Sequence, residues 1–139
     1  MTFNSEFFQK QTFDPTVITR YLNKAKHELY LAKDSKWPEI QFTQTYKSFI
    51  RIGITLMATL DYRVKSKEGH HIVIIDNIAE MLKDKRINTI GSDMRIKRNV
   101  DWYGDFIPVT EQEAKMYMCF VEEVIEKAEE YLTKQKRLF

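Results

Sequence analysis

The sequence predicts an all-α fold, an antiparallel bundle of four to five helices in a single domain over residues 1–139. Three observations carry this expectation. Glycine and proline are scarce, four and three in the whole chain, too few to punctuate a sheet protein with many tight turns. Apolar residues recur at three- and four-residue spacing along most of the length. Capping residues and prolines stand where those stripes begin.

Residues 1–13 hold four phenylalanines without a clear period and read as an N-terminal arm or a short docking helix. Asp14-Pro15, a cap followed by proline in the first turn, opens the first long helix. Its stripe is Ile18, Tyr21, Leu22, Ala25, Leu29 and Ala32, ending near Lys33 before the polar break KDSKW. Pro38 opens a second helix with Phe42, Tyr46, Phe49, Gly53, Leu56, Met57 and Leu60 on one face. Gly53 costs helix propensity, about 1 kcal/mol relative to alanine, which predicts close approach of another helix there. After KSKEGH, a third helix turns Ile72, Ile75, Ile78, Ala79 and Leu82 inward. The β-branched run HIVII suits a strand, but its continuation through DNIAEM favours helix. Ile87, Ile90 and Met94 start a fourth helix, which runs into RIKRNVDWYGD at residues 95–105. Thr110-Glu-Gln-Glu113 is a capping box for the fifth helix. Ala114, Tyr117, Met118, Val121, Val124, Ile125, Ala128 and Leu132 then form the clearest stripe in the chain.

Twenty-two basic against 20 acidic residues leave a formal charge of +2, which by itself predicts no nucleic-acid binding. The charges are unevenly spread. From Lys83 to Arg98 six basic residues face two acidic ones, and from Glu111 to Glu130 seven glutamates face two lysines, Lys115 and Lys127. Each segment reads as a solvated helix face, or the first as a surface that attracts phosphate. The single cysteine, Cys119, excludes an intrachain disulfide, and its run MYMCF predicts a buried, inert thiol. No secretion signal opens the sequence, and IRIGITLMATL is too short to span a bilayer and is interrupted by Arg51; a cytoplasmic protein without membrane contact is expected.

Arg95, Arg98, Asn99 and Trp102 share one helical face, with Tyr103 one turn beyond Asn99. Two guanidiniums, a carboxamide and aromatic rings on one flank can grip a phosphate and stack on a base. In the plainer reading Arg98 pairs with Asp101 or Asp105, and the two rings fill the core. His27 reads as a surface residue. His70 and His71 point about 100° apart on a helix and offer no metal spacing, so neither metal nor cofactor is expected. No glycine-rich phosphate loop or Ser/Cys–His pair is present.

The order of parts over roughly residues 14–135 resembles a HEPN domain, the small helical module of prokaryotic toxins, defence ribonucleases and nucleotidyltransferase partners. KAKHELYLAK at 24–33 is similar to the family's A-x-x-x-L-x-x-A opening, and GHH at 69–71 is also familiar. Arg95-x-x-Arg98-Asn99-x-x-x-Tyr103 is similar to its arginine–polar–spacer–histidine motif. The resemblance implies a homodimer with a metal-independent endoribonuclease site at a two-fold interface. It makes Arg98 the phosphate-stabilising arginine and Asn99 the polar residue after it. The chain departs where histidine is expected: Tyr103, a phenol with pKa near ~10, is a poor base at neutral pH compared with an imidazole near ~6.5. His70 or His71 would then be the alternative base.

Two functions are therefore expected side by side. One is a HEPN-like homodimer of a toxin–antitoxin or stress/defence system that binds RNA or a nucleotide through Arg95, Arg98, Asn99, Trp102 and Tyr103, with weak or absent ribonuclease activity. The other is a non-enzymatic interaction module that pairs with a separate nucleotidyltransferase chain.

Overall fold

The computed structural model describes residues 3–102 and 109–135, with the side chains of residues 100–102 excepted. The helices among them are α1 Pro15–Asp34, α2 Pro38–Thr59, α3 His70–Leu82, α4 Arg86–Trp102 and α5 Glu111–Gln135. The expected all-α bundle is present. It carries one addition, a pair of three-residue strands, β1 Phe8–Lys10 and β2 Tyr62–Val64, antiparallel with Phe8 opposite Val64. The N-terminal arm thus docks as a strand and not as a helix. Phe8 is buried, and Phe3 stacks on Tyr62 with ring centroids 4.1 Å apart.

Cross-helix bonds give the chain directions. The three-residue link Ser35–Trp37 turns α2 back along α1, and the bonds of Ser48 to Ala25 and of Arg51 to Glu28 join the two helices side by side. Lys26–Glu129 and Lys33–Glu122 set α1 against α5, and Arg86–Glu123 and Lys97–Glu113 set α4 against α5. Between α2 and α3 the contacts rise together, from Tyr46–His71 to Gly53–Ile74 and Gly53–Ile78, so these two run in the same sense. That arrangement has a geometric cost. Leaving α2 at Thr59, the chain must return along about 13 residues of helix, about 20 Å, to reach the level of Tyr46. The extended segment containing β2 makes that return, turning at Asp61 with φ 64° and at Gly69 with φ +83°.

The helix ends follow the sequence signals. Asp14 accepts from the Thr16 amide at 2.9 Å, and Thr110 and Glu113 close the capping box with bonds of 3.0 and 3.1 Å. The left-handed cap Lys83 (φ 54°) ends α3, and the Asp84 carboxylate accepts from the Arg86 amide at 3.0 Å to start α4. α2 is the central helix and packs on every other one. Gly53 is as close to its neighbour as its position implied: a Cβ there would collide with Ile74 Cγ2. Gly91 of α4 is equally confined, 2.8 Å from Phe49 Cζ to an added Cβ. The whole α5 stripe is buried, joined by Phe120.

Three expectations are corrected. Cys119 is exposed, because it falls on the face of α5 opposite the buried stripe. Ile72 is 45% exposed at the first turn of α3, and Ile74 takes the inward position instead. Lys127 is not merely solvated among glutamates: its Nζ donates to Asp84 Oδ2 at 2.5 Å, beside Arg86 at 3.0 Å.

Candidate phosphate-binding cleft

Two segments far apart in sequence meet at one surface. The loop after β2 and the first turn of α3 contribute Lys67, Gly69, His70 and His71; the later turns of α4 contribute Arg95, Arg98 and Asn99. Together they line a cleft of about 830 Å³. The sequence places Arg95, Arg98 and Asn99 on one helical face, and the structure turns that face toward the two histidines. Of the remaining expected site residues, Trp102 ends α4 with its side chain outside the described residues, and Tyr103 lies outside them entirely. His27 is exposed on α1, stacked on Tyr30, and does not line this cleft.

Local geometry fixes how each histidine is presented. The Lys67 carbonyl accepts both from the His70 backbone amide, at 3.1 Å, and from the His70 ring at Nδ1, at 2.5 Å. A carbonyl only accepts, so Nδ1 carries a proton and donates it to this bond, which leaves Nε2 as the nitrogen turned away from it. Gly69, in the left-handed region at φ +83°, lets the chain close this turn. His71 instead pairs through Nδ1 with the hydroxyl of Tyr46 at 2.8 Å, and the two imidazoles meet edge to face at 4.4 Å.

Burial dominates the electrostatics. It depresses the His71 pKa to about 4, helped by the charges of His70, Arg98 and Arg95, so His71 is neutral at physiological pH. Burial likewise pushes the Tyr46 hydroxyl up to about 12, against the pull of Arg98 and Arg95. The Arg98 guanidinium lies 6.0 Å from the Tyr46 ring centroid. Lys97, next in sequence, points elsewhere: it bonds Glu113 at 2.5 Å, which raises the lysine pKa and lowers that of Glu113. The basic segment is therefore divided. Lys97 and Arg86 tie α4 to α5, whereas Arg95 and Arg98 border the cleft.

Tyr46 and Lys67 were not marked by the sequence as site residues. Tyr46 reads as one more aromatic in an apolar stripe; its single clue is a hydroxyl that needs a partner once buried. Lys67 acts through a backbone carbonyl, which side-chain identity does not reveal. Chemically, the cleft offers cations for a phosphate, a carboxamide for a further polar contact and an imidazole held through Nδ1 by a carbonyl. Among the described residues no three His, Cys, Asp or Glu side chains cluster to hold a metal ion, and no described helix is long and apolar enough to cross a membrane. No protein-family model matches the chain, and no curated protein or solved structure matches it either.

Proposed function

We propose that the protein is a HEPN-like homodimer that binds RNA or a nucleotide by its phosphate in the cleft between α3 and α4. The observation that carries this reading is the meeting of Arg95, Arg98 and Asn99 with His70 and His71 around one volume of about 830 Å³. Arg98 and Arg95 neutralise the phosphate, and Asn99 adds a polar contact. Ribonuclease activity is at most slow and needs no metal. In such a step His70 Nε2 would take the ribose 2′-hydroxyl proton, with Arg98 stabilising the charge that develops on phosphorus-bound oxygen. Exposed Ile72 and Ile96, on α3 and α4, favour burial of this region against a second copy.

The test is RNA binding by fluorescence anisotropy across a salt series. Arg98→Ala should weaken binding roughly ten- to hundredfold, the loss of one charge-assisted contact. Lys115→Ala is the control, since Lys115 is exposed on α5 and among the described residues pairs only with Glu111 one turn earlier. Equal effects of the two, or no binding by the wild type, would sink the proposal. A gel assay with EDTA present then reads cleavage. His70→Gln should abolish any wild-type activity, and Tyr103→His, restoring the imidazole that the resemblance expects, should raise it by up to about 10²-fold or more.

A further inference from the structure

A second cleft, of about 650 Å³, adjoins the first and shares Arg98 and His71 with it. Its floor is made by α2. Residues 43, 47 and 51 and residues 46, 50 and 54 form two neighbouring stripes four residues apart, so a single helix face supplies both an apolar bed, Ile50 and Ile54, and a charged wall. That wall is the Arg51–Glu28 pair. Arg51 Nε donates to Glu28 Oε1 at 2.6 Å, while Nη2 reaches Oε2 at a long 3.5 Å. The Glu28 side chain is 9% exposed.

As a clamp between α1 and α2, such a pair is poor value: desolvating both charges cancels most of their attraction, and an apolar pair would hold the helices as well. It is also incompletely used. A carboxylate has about four acceptor positions and a guanidinium five donors. Here one short bond and one long one form, and among the described residues Arg51 Nη1 makes no hydrogen bond. Both side chains line the cleft, so the pair can offer a ligand there donors from Arg51 and acceptors from Glu28.

From this we infer that the second cleft reads a guanine base whose phosphate lies in the first cleft, an inference that rests on the phosphate-binding reading above. Guanine presents an acceptor, O6, followed by two donors, N1–H and the N2 amine. Arg51 donates to O6, and the Glu28 oxygens accept from N1–H and N2–H. Adenine places an acceptor, N1, where the carboxylate stands, and cytosine does the same with N3. Uracil offers one donor between two acceptors. The face of the purine rests on Ile50 and Ile54, and Arg98, common to both clefts, lies where base and phosphate are joined through the ribose. The recognised unit is a guanosine phosphate, either a free nucleotide or a guanosine within single-stranded RNA.

Calorimetric titration of the wild type with GMP, IMP, AMP and inorganic phosphate tests this. GMP should bind at least about tenfold more tightly than AMP, with IMP, which lacks the N2 amine, between them. Glu28→Gln should collapse that ratio. Because this substitution also breaks a buried pair, Ile54→Trp provides a second variant: filling the bed should abolish GMP discrimination and leave inorganic phosphate binding unchanged. Equal affinities for GMP and AMP together with equal affinities for oligomers carrying one guanosine or one adenosine, all weakened by Arg98→Ala, would overturn guanine recognition and leave the phosphate site standing. Absence of binding by every nucleotide and by phosphate would overturn both. Oligomers carrying one guanosine or one adenosine separate the two sources. Discrimination among oligomers but not mononucleotides assigns the site to RNA, and the reverse assigns it to the free nucleotide.

Discussion

His71 carries the electrostatic cost of its own position. Its folded pKa of about 4 lies below the ordinary 6.5, so between those values the unfolded chain binds the proton more tightly. The contribution of this residue is fully present above pH ~6.5 and is lost as pH falls toward ~4. Thermal melts from neutrality to pH ~5 should therefore show a steeper fall in Tm for the wild type than for His71→Gln. Equal slopes would remove burial as the cause. Asp84 has the opposite habit. Bonds from Arg86 and Lys127 hold its carboxyl well below the usual range, so its contribution survives mild acid and is lost only as pH falls below that of ordinary carboxylates. Asp84 also caps α4, and Asp84→Ala should cost about 1–2 kcal/mol at neutral pH, read from urea unfolding. At this scale the sequence was informative about α4 and silent about its surroundings. Arg95, Arg98 and Asn99 were visible as a face from their spacing alone. That Tyr46 bonds His71 was not, because the two lie 25 residues apart and on different helices.

Among the elements, the two helical glycines allow the tightest approaches. An alanine at Gly53 would collide with Ile74, and one at Gly91 would stand 2.8 to 2.9 Å from Phe49 and Ile75. The helix-propensity gain of about 1 kcal/mol should be outweighed by overpacking of about 1–3 kcal/mol, so both substitutions destabilise. Chemical denaturation checks this, and a stabilised Gly53→Ala would show that α3 can move away from α2 at little cost. Gly53 was legible because glycine is costly within a strong apolar stripe. The strands were not. Three residues are too few to show a period, and β1 is a strand only because a partner more than 50 residues later offers its edge. The HIVII run illustrates the reverse case, where β-branched residues yield to helix because Ile74, Ile75 and Ile78 all reach the core from one helical face.

Across the whole molecule, the basic and acidic segments proved to be partners as well as surfaces. α4 and α5 are joined by Arg86–Glu123 and Lys97–Glu113, with Lys127–Asp84 at the start of α4. Their opposite charge was readable in the sequence, but their opposed direction was not. Because Arg95 and Arg98 line the cleft whereas Arg86 ties α4 to α5, salt-sensitive RNA binding should respond mainly to Arg95 and Arg98, and Arg86→Ala should reduce stability more than affinity. The proposed homodimer makes a separate prediction: sedimentation at about twice the chain mass at micromolar concentration, reverting toward one chain mass in Ile96→Glu, which places a charge at an isoleucine 53% exposed. A wild type that sediments as a monomer would leave the cleft complete within one chain.

The β1–β2 pair gives the cleft a kinetic property. Flanking the ladder, the Lys65 amide donates to the Phe7 carbonyl at 2.7 Å and the Gln11 amide to that of Asp61 at 2.9 Å, and Lys67 itself bonds Glu6 at 3.1 Å. The turn that presents His70 is thus tethered to residues near the start of the chain and not to the helices alone. Closing a loop of more than 50 residues for so few bonds is entropically expensive, so this pair should open more readily than the helices it borders. Hydrogen exchange should find residues 8–10 and 62–65 opening as one unit, ahead of the α2 core. Phe8→Ser should speed that opening and slow the capture of ligand, because the histidine turn would then spend more of its time unlatched.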